Sequence, residues 1–491
     1  MLSLPRLLCK HSSAALTTGA LVILLLLRPS AAPAEDWPQF RGNNGTGVST
    51  ESHNLPVEFS GTSKVLWQHD VGEGVNCPVV ASGRVFITGM TAKQRFTVFA
   101  FDAATGSKLW ERSFETGALP TITIPNTQAS STACADSERV YVHFSTLGLK
   151  ALDVKSGSVV WEHKVPMGYY LLGWGTAQAP MLYEDKLIYC QDDDLGSFIL
   201  ALDKKTGNKI WRTPREDMLA GYSVPVIVTA GGRTDVVVAG SGKMQGYDPN
   251  DGKLIWTCNS LLRTIMVSPV VQDDMIYISL KSFGDTNRVL KYALLEWKDT
   301  NQDKKLSKTE LEPAFYEKFD KADANHDGFL EGSELDHAFQ SPKNMAGGGK
   351  IVQAIRGGGR GDVTKTHLVW NNTVNVDPSD IASPLLYEGK LFLVKNGGMT
   401  AAYDAKDGKE IWSKKRIDNP GNYYASPVAA EGKVYVTGEA GAIAVLKMGK
   451  KPQILAVNDI GESCVATPAI ADGRLFVRTV KKLYCFSESA K

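Results

Sequence analysis

Apolar and polar residues alternate with a period of two along most of the chain, in short runs broken by turns. That period sends successive side chains to opposite faces of a strand, so it predicts β-structure throughout. Two phrases recur within it. In the first, Asp is followed after three residues by Gly and after three more by Trp. The copies are DAATGSKLW (Asp102–Trp110), DVKSGSVVW (Asp153–Trp161), DKKTGNKIW (Asp203–Trp211), DPNDGKLIW (Asp248–Trp256) and DAKDGKEIW (Asp404–Trp412). Each follows an alternating strand such as SFILAL or GMTAAY. Asp opens a turn by bonding to nearby backbone, Gly takes the positive φ the turn needs, and the next strand carries Trp inward.

The second phrase is a Pro followed by a short turn and an apolar strand. Its copies start at Pro78, Pro180, Pro225, Pro269, Pro384, Pro427 and Pro468, and TACADSERVYVH fits with Ala133 in the Pro place. Pro is tolerated at the first position of a strand. These eight starts lie 55, 47, 45, 44, 115, 43 and 41 residues apart. A four-stranded unit of that length, repeated, predicts an all-β, eight-bladed β-propeller. The last unit, RLFVRT and KKLYCFS, lacks a Trp-bearing fourth strand, and SKVLWQHD (Ser63–Asp70) is a fourth strand without a blade. Residues 63–70 are therefore expected to complete blade eight by pairing near residues 482–487, leaving no open edge.

These phrases resemble the Trp-docking repeat of PQQ-type eight-bladed propellers: AFDAATGSKLW and ALDKKTGNKIW match A-x-D-x-x-T-G-x-x-x-W closely. That family includes quinoprotein alcohol dehydrogenases and the non-enzymatic outer-membrane assembly lipoprotein BamB. EDWPQFRGNNGTG resembles the start of exported BamB-like propellers. The single-domain layout favours the BamB-like side, which implies a binding or scaffold role with a protein partner. The dehydrogenase side implies PQQ over the channel with a vicinal Cys–Cys pair, a calcium ion and an Asp base. No Cys–Cys pair occurs here, so PQQ is not expected.

The long fifth interval carries about 70 extra residues. Within blade five, Ser268–Val271 and Met275–Leu280 read as the first two strands and RVLKYALLE (Arg288–Glu296) as the third. Trp370 in THLVWNN lies 14 residues before Pro384, in register with the other blades, so it marks the fourth strand. The insertion is thus expected to replace the hairpin turn between strands three and four, where added loop length costs little closure entropy.

The insertion holds two twelve-residue calcium-loop patterns. DANHDGFLEGSE places Asp323, Asn325 and Asp327 at one, three and five, Gly328 at the sharp turn and the Phe329 carbonyl at seven. Glu331 stands at nine and Glu334 at twelve. Hard Ca2+ wants six to eight oxygens, and this spacing wraps them round one point. DTNQDKKLSKTE offers Asp299, Asn301, Asp303, the Lys305 carbonyl, Ser307 and Glu310, but Lys304 stands where Gly belongs. A non-Gly residue with positive φ costs about 1–2 kcal/mol, so this loop is expected to bind more weakly. Between them, Leu311, Phe315 and Phe319 recur at helical spacing, and Leu306 and Leu330, each at the eighth place, are expected to pair. Residues 299–340 hold 11 acids against 5 lysines, a net of −6, which suits a cation. The whole reads as a small α-helical EF-hand pair in blade five. AGGGKIVQAIRGGGRGD (Ala346–Asp362) follows; no Walker Lys-Ser/Thr follows its glycines, so it reads as a tether.

Composition adds the compartment. Arg6 and Lys10 precede the apolar run Ala14–Leu27, and Ala32-Pro33-Ala34 forms a small-residue cleavage site, so residues 1–34 read as an export signal. The run is short for a span, which needs roughly 20 residues. Removing residues 1–34 takes three bases and no acid, from 54 to 51 bases against 53 acids, and moves the charge from +1 to −2. That argues against electrostatic capture of nucleic acid. The expected division is a signal at 1–34, an N-terminal extension at 35–62 and propeller at 63–297. The EF-hand pair at 298–340, a Gly-rich tether at 341–363 and propeller at 364–491 follow. The mature protein is expected to be a periplasmic or secreted monomer without a membrane span. Its six cysteines are scattered and read mainly as single buried thiols. His is sparse, at 8 residues, with no HxH or HExxH spacing. No catalytic residue is therefore assigned. Tyr169–Gln178 (YYLLGWGTAQ) and Pro125–Ser130 (PNTQAS) are candidates for lining the channel mouth, with inter-blade packing as the plainer alternative.

Overall fold

The computed structural model describes residues 35–170, 173–282, 298–339, 347–417 and 421–490. Within them the strands form eight antiparallel four-stranded blades, one of which gains a fifth, parallel strand at its edge. The expected ring closure is present: Val65–Asp70 pairs antiparallel with Lys482–Ser487, with Trp67 opposite Cys485 and Asp70 opposite Lys482.

The Asp-Gly-Trp phrase folds as its chemistry demands. Asp203 Oδ1 accepts the N–H groups of Lys205 and Thr206 at 3.0 and 2.8 Å. Gly207 then turns at φ +73°. The Trp of the preceding blade lies flat on this glycine: a Cβ at Gly207 would stand 2.6 Å from Trp161 Cδ2. The Trp161 indole N–H donates to Lys204 O in the same turn, at 3.0 Å. Trp110 does the same to Val154 O at 2.9 Å, and Trp370 to Ala405 O at 3.1 Å. Each turn is therefore a docking cup for the previous blade, which joins neighbours by apolar burial and one satisfied indole.

Blade five departs from the expected layout. Its strands are Val270–Gln272, Met275–Ser282, Gly349–Arg356 and Leu368–Asn372. The third strand is Gly349–Arg356, which pairs with Met275–Ser282 on one side and Leu368–Asn372 on the other. The segment read as a tether at 341–363 thus contains a central strand, and the insertion enters between strands two and three, not at the later hairpin. KIVQAIR alternates as well as RVLKYALLE does; only the pairing distinguishes them. Arg288–Glu296, the expected third strand, lies outside the described residues, as does the signal at 1–34. The fourth strand carries Trp370, as the register required.

This layout accounts for one exception. The connection between strands three and four of blade five holds no Asp-x-x-x-Gly cup. Trp256 of blade four therefore donates to Asp235 Oδ2 of its own blade, at 2.8 Å. The same connection supplies Gly361–Asp362, which pairs in parallel with Trp256 and Thr257 and covers the outer edge of blade four.

The N-terminal extension crosses the ring and ties distant blades together. Trp37 exchanges backbone bonds with Val80 of blade one, and Pro38 O accepts from Ala135 of blade two. Asn44 bonds both backbone groups of Ile227 in blade four, and Ser49 donates to Ala429 O in blade seven. Six cysteines, Cys77, Cys134, Cys190, Cys258, Cys464 and Cys485, are buried free thiols. No helix among the described residues is long and apolar enough to cross a membrane.

Candidate functional site

The residue two places before each first strand, next to the Pro place, faces the axis. These eight positions, Cys77, Thr132, Ala179, Val224, Ser268, Ser383, Ser426 and Thr467, all line one cavity of about 370 Å³, to which the extension adds Phe40. Because every blade contributes, the cavity sits on the propeller axis. Hydroxyls at these positions also join the blades. Val224 N donates to Ser268 Oγ, Ser268 N to Ser383 Oγ, Ser383 N to Ser426 Oγ and Ser426 N to Thr467 Oγ1, at 2.9–3.1 Å. The sequence carries this signal in its Ser-Pro and Thr-Pro pairs, where the hydroxyl residue as well as the Pro recurs.

Ile124, Pro125, Asn126, Trp174, Tyr222 and Tyr424 also line the wall, so both stretches singled out as mouth candidates reach the cavity. The Asn126 amide donates to Trp174 O and ties the two together. The lining is mainly apolar, with Asp380 as its carboxylate and no Lys or Arg.

The insertion lies against this side of the ring. Tyr169 donates to Glu312 Oε2 at 2.6 Å, and Lys298 Nζ bonds Glu312 Oε1 at 2.6 Å. The Tyr169 ring faces Phe315, centroids 6.3 Å apart. Burial and the neighbouring Glu312 carboxylate push the Tyr169 hydroxyl up, so it stays a donor. Lys318 is pushed down by burial, against the opposing fields of Asp194 and Asp193. Tyr169, Lys298 and Glu312 also wall a second cleft that shares Thr123 with the axial cavity.

Inside the insertion, Leu306 pairs with Leu330 and Ser307 with Phe329 in a two-residue ladder. The helix Tyr316–Ala322 runs between the loops. Leu306, Leu311, Phe315, Phe319, Leu330 and Leu335 form a core of their own. The two loops have matching backbones. At the sixth place Lys304 has φ +66° and Gly328 φ +84°. Asp299 Oδ2 accepts Lys304 N at 2.8 Å, and Asp323 Oδ2 accepts Gly328 N at 3.1 Å. Asn301 and Asn325 each accept from the Asp two residues on, Asp303 and Asp327, at 2.8 and 2.9 Å. At the twelfth place, Glu310 Oε1 takes Thr300 N at 3.0 Å and Glu334 Oε1 takes Ala324 N at 3.0 Å, so each Glu folds back over its loop. Burial would raise the Glu310 carboxyl, but the Ser307 amide and hydroxyl hold it below its ordinary range.

Among the described residues, no three or more His, Cys, Asp and Glu side chains gather at metal-ligating spacing. The loop carboxylates point at loop amides. Glu331, at the ninth place, instead meets Lys305 Nζ at 2.8 Å.

Compared with known proteins, the chain matches the family model described as outer membrane protein assembly factor BamB, over residues 43–169, 174–306 and 298–490. Outer membrane protein assembly factor BamB of Shewanella oneidensis is 23% identical over 407 residues, covering 78% of this chain and 89% of that protein. Quinoprotein alcohol dehydrogenase PedH of Pseudomonas putida is 27% identical over 253 residues, 49% of this chain and only 32% of that enzyme. The crystal structure of a quinohemoprotein alcohol dehydrogenase from Comamonas testosteroni superposes with a TM-score of 0.56 at 14% identity, over 94% of this chain and 82% of that one. That likeness concerns the fold. With the family model spanning most of its length, the chain belongs to the family described as outer membrane protein assembly factor BamB.

Proposed function

We propose that this protein is an exported, calcium-binding propeller that acts by holding a protein partner rather than by catalysis, in the envelope or in outer-membrane protein assembly. The observation that carries the calcium part is the matched backbone of the two loops. Both adopt positive φ at the sixth place, and both fold a twelfth-place Glu over the loop. The residues present suit a hard cation. Asp299, Asn301, Asp303, Ser307 and Glu310 would hold it in the first loop with the Lys305 carbonyl. Asp323, Asn325, Asp327, Glu331 and Glu334 would do so in the second with the Phe329 carbonyl. Each carboxylate oxygen that accepts one amide keeps a lone pair for an ion. The propeller supplies a rigid ring, and the insertion and the cavity mouth lie on loops, where recognition commonly resides. Export rests on the signal pattern of residues 1–34 and on the kinship with the assembly factor.

The quinoprotein relatives raise a second reading, PQQ-dependent oxidation. The axial cavity does not suit it. PQQ is a tricarboxylate, while the lining offers Asp380, no Lys or Arg, and no adjacent cysteines. Two measurements separate these readings. Calcium titration of the metal-free protein is expected to show a site that Glu334→Gln removes. Incubation with PQQ and desalting is expected to leave no bound quinone absorbance. A stoichiometric quinone complex, or an absence of calcium binding, would overturn the corresponding half of the proposal.

A further inference from the structure

The extension that crosses the ring brings Arg41 into the interior. Its side chain is fully buried, and its backbone stands at φ +60°. Nη2 donates to Pro384 O of blade six, but Nε and Nη1 meet no partner among the described residues. Arg478, on the second strand of blade eight, is equally buried and shows what satisfaction looks like. Its Nε donates to Gly74 O at 2.9 Å, its Nη1 to Asn76 Oδ1 at 3.1 Å and to Thr88 O, and its Nη2 to Gly72 O at 3.0 Å.

Neither guanidinium bonds a carboxylate. Burial pushes each down to about 9, and the titratable group whose field reaches both is Cys77. Burial pushes that thiol up, so it stays neutral near pH 7 and supplies no counter-charge. Two cations thus sit out of water without an acid. Buried charges are normally paired, and a buried donor normally finds an acceptor. Arg478 meets the second requirement with carbonyls. Arg41 meets neither.

We propose that the free N–H donors of Arg41 hold a small monovalent inorganic anion, of the size of chloride, in the interior where the extension packs against blade six. The anion supplies the missing charge and the missing acceptor together. Because Arg41 is fully enclosed, the occupant is an inorganic ion rather than an organic ligand. The site also gives the extension a role: it seats a cation against blade six, and the ion neutralises it there.

Bromide is the probe. Crystals grown or soaked in sodium bromide are expected to show an anomalous peak within hydrogen-bonding distance of Arg41. In solution, replacing chloride by gluconate at constant ionic strength is expected to lower Tm by several degrees. Arg41→Met is expected to lose that dependence while keeping the β-sheet circular dichroism spectrum. Water alone at Arg41 overturns the proposal, as does an R41M protein that still responds to chloride. A bromide peak without any chloride dependence of Tm is binding at crystal concentration only, and counts against it equally. Should R41M fail to fold, the bromide map and the chloride dependence of the unaltered protein decide.

Discussion

Two residues at the same place in two loops divide the insertion. Gly328 takes φ +84° freely, whereas Lys304 takes φ +66° against a steric cost of about 1–2 kcal/mol. Lys304 and Lys305 also bring positive charge towards an incoming cation. If that strain is taken up as the loop closes on its ion, Lys304→Gly is expected to tighten calcium at the first loop by about tenfold, since about 1.4 kcal/mol is a factor of ten. Calorimetric titration in a Glu334→Gln background isolates that loop. An unchanged affinity would mean that the positive φ costs nothing on binding. The twelve-residue spacing made every proposed ligand legible in the sequence, because coordination geometry fixes residue types at fixed offsets. What spacing could not show is that Glu331 turns to Lys305, because that contact runs between the loops.

Blade docking belongs to the scale of the element. A turn glycine in this fold serves two ends, the positive φ and the flat seat for the neighbouring Trp. Gly432 separates them: it turns at φ +74° with no atom within 4 Å of an added Cβ. Gly432→Ala is therefore expected to cost only backbone strain, about 1–2 kcal/mol. Gly207→Ala meets the same strain and also drives its methyl into Trp161. Overpacking of that kind adds about 1–3 kcal/mol. Urea denaturation of the two variants reads the difference directly, and equal losses would remove the docking role. The repeat made this legible through Gly and Trp at fixed spacing. Trp256 was less legible. Its phrase is intact, but its cup belongs to the next blade, whose connection between strands three and four carries no Asp-x-x-x-Gly phrase. A local motif predicts its own turn well and its partner only where the partner's motif is present too.

At the scale of the whole molecule, the insertion has an apolar core apart from those of the blades but packs on the ring. Leu306, Leu311, Phe315 and Phe319 belong to that core, and the seam with the ring includes Tyr169, Glu312, Phe315 and Lys318. Gly349–Arg356 is hydrogen-bonded on both sides within blade five, so it belongs to the propeller although it follows the insertion. Ions that bind the folded loops and not the unfolded ones stabilise by mass action, and removing them lowers only the part that holds them. Limited proteolysis with chelator is therefore expected to open new cuts within residues 298–339, while Gly349–Arg356 stays protected and the ring remains uncut. The boundary of protection is the informative readout. Cuts that extended through Gly349–Arg356 would mean that the insertion holds blade five together. Identical patterns with and without chelator would mean that calcium contributes nothing to the fold of the insertion.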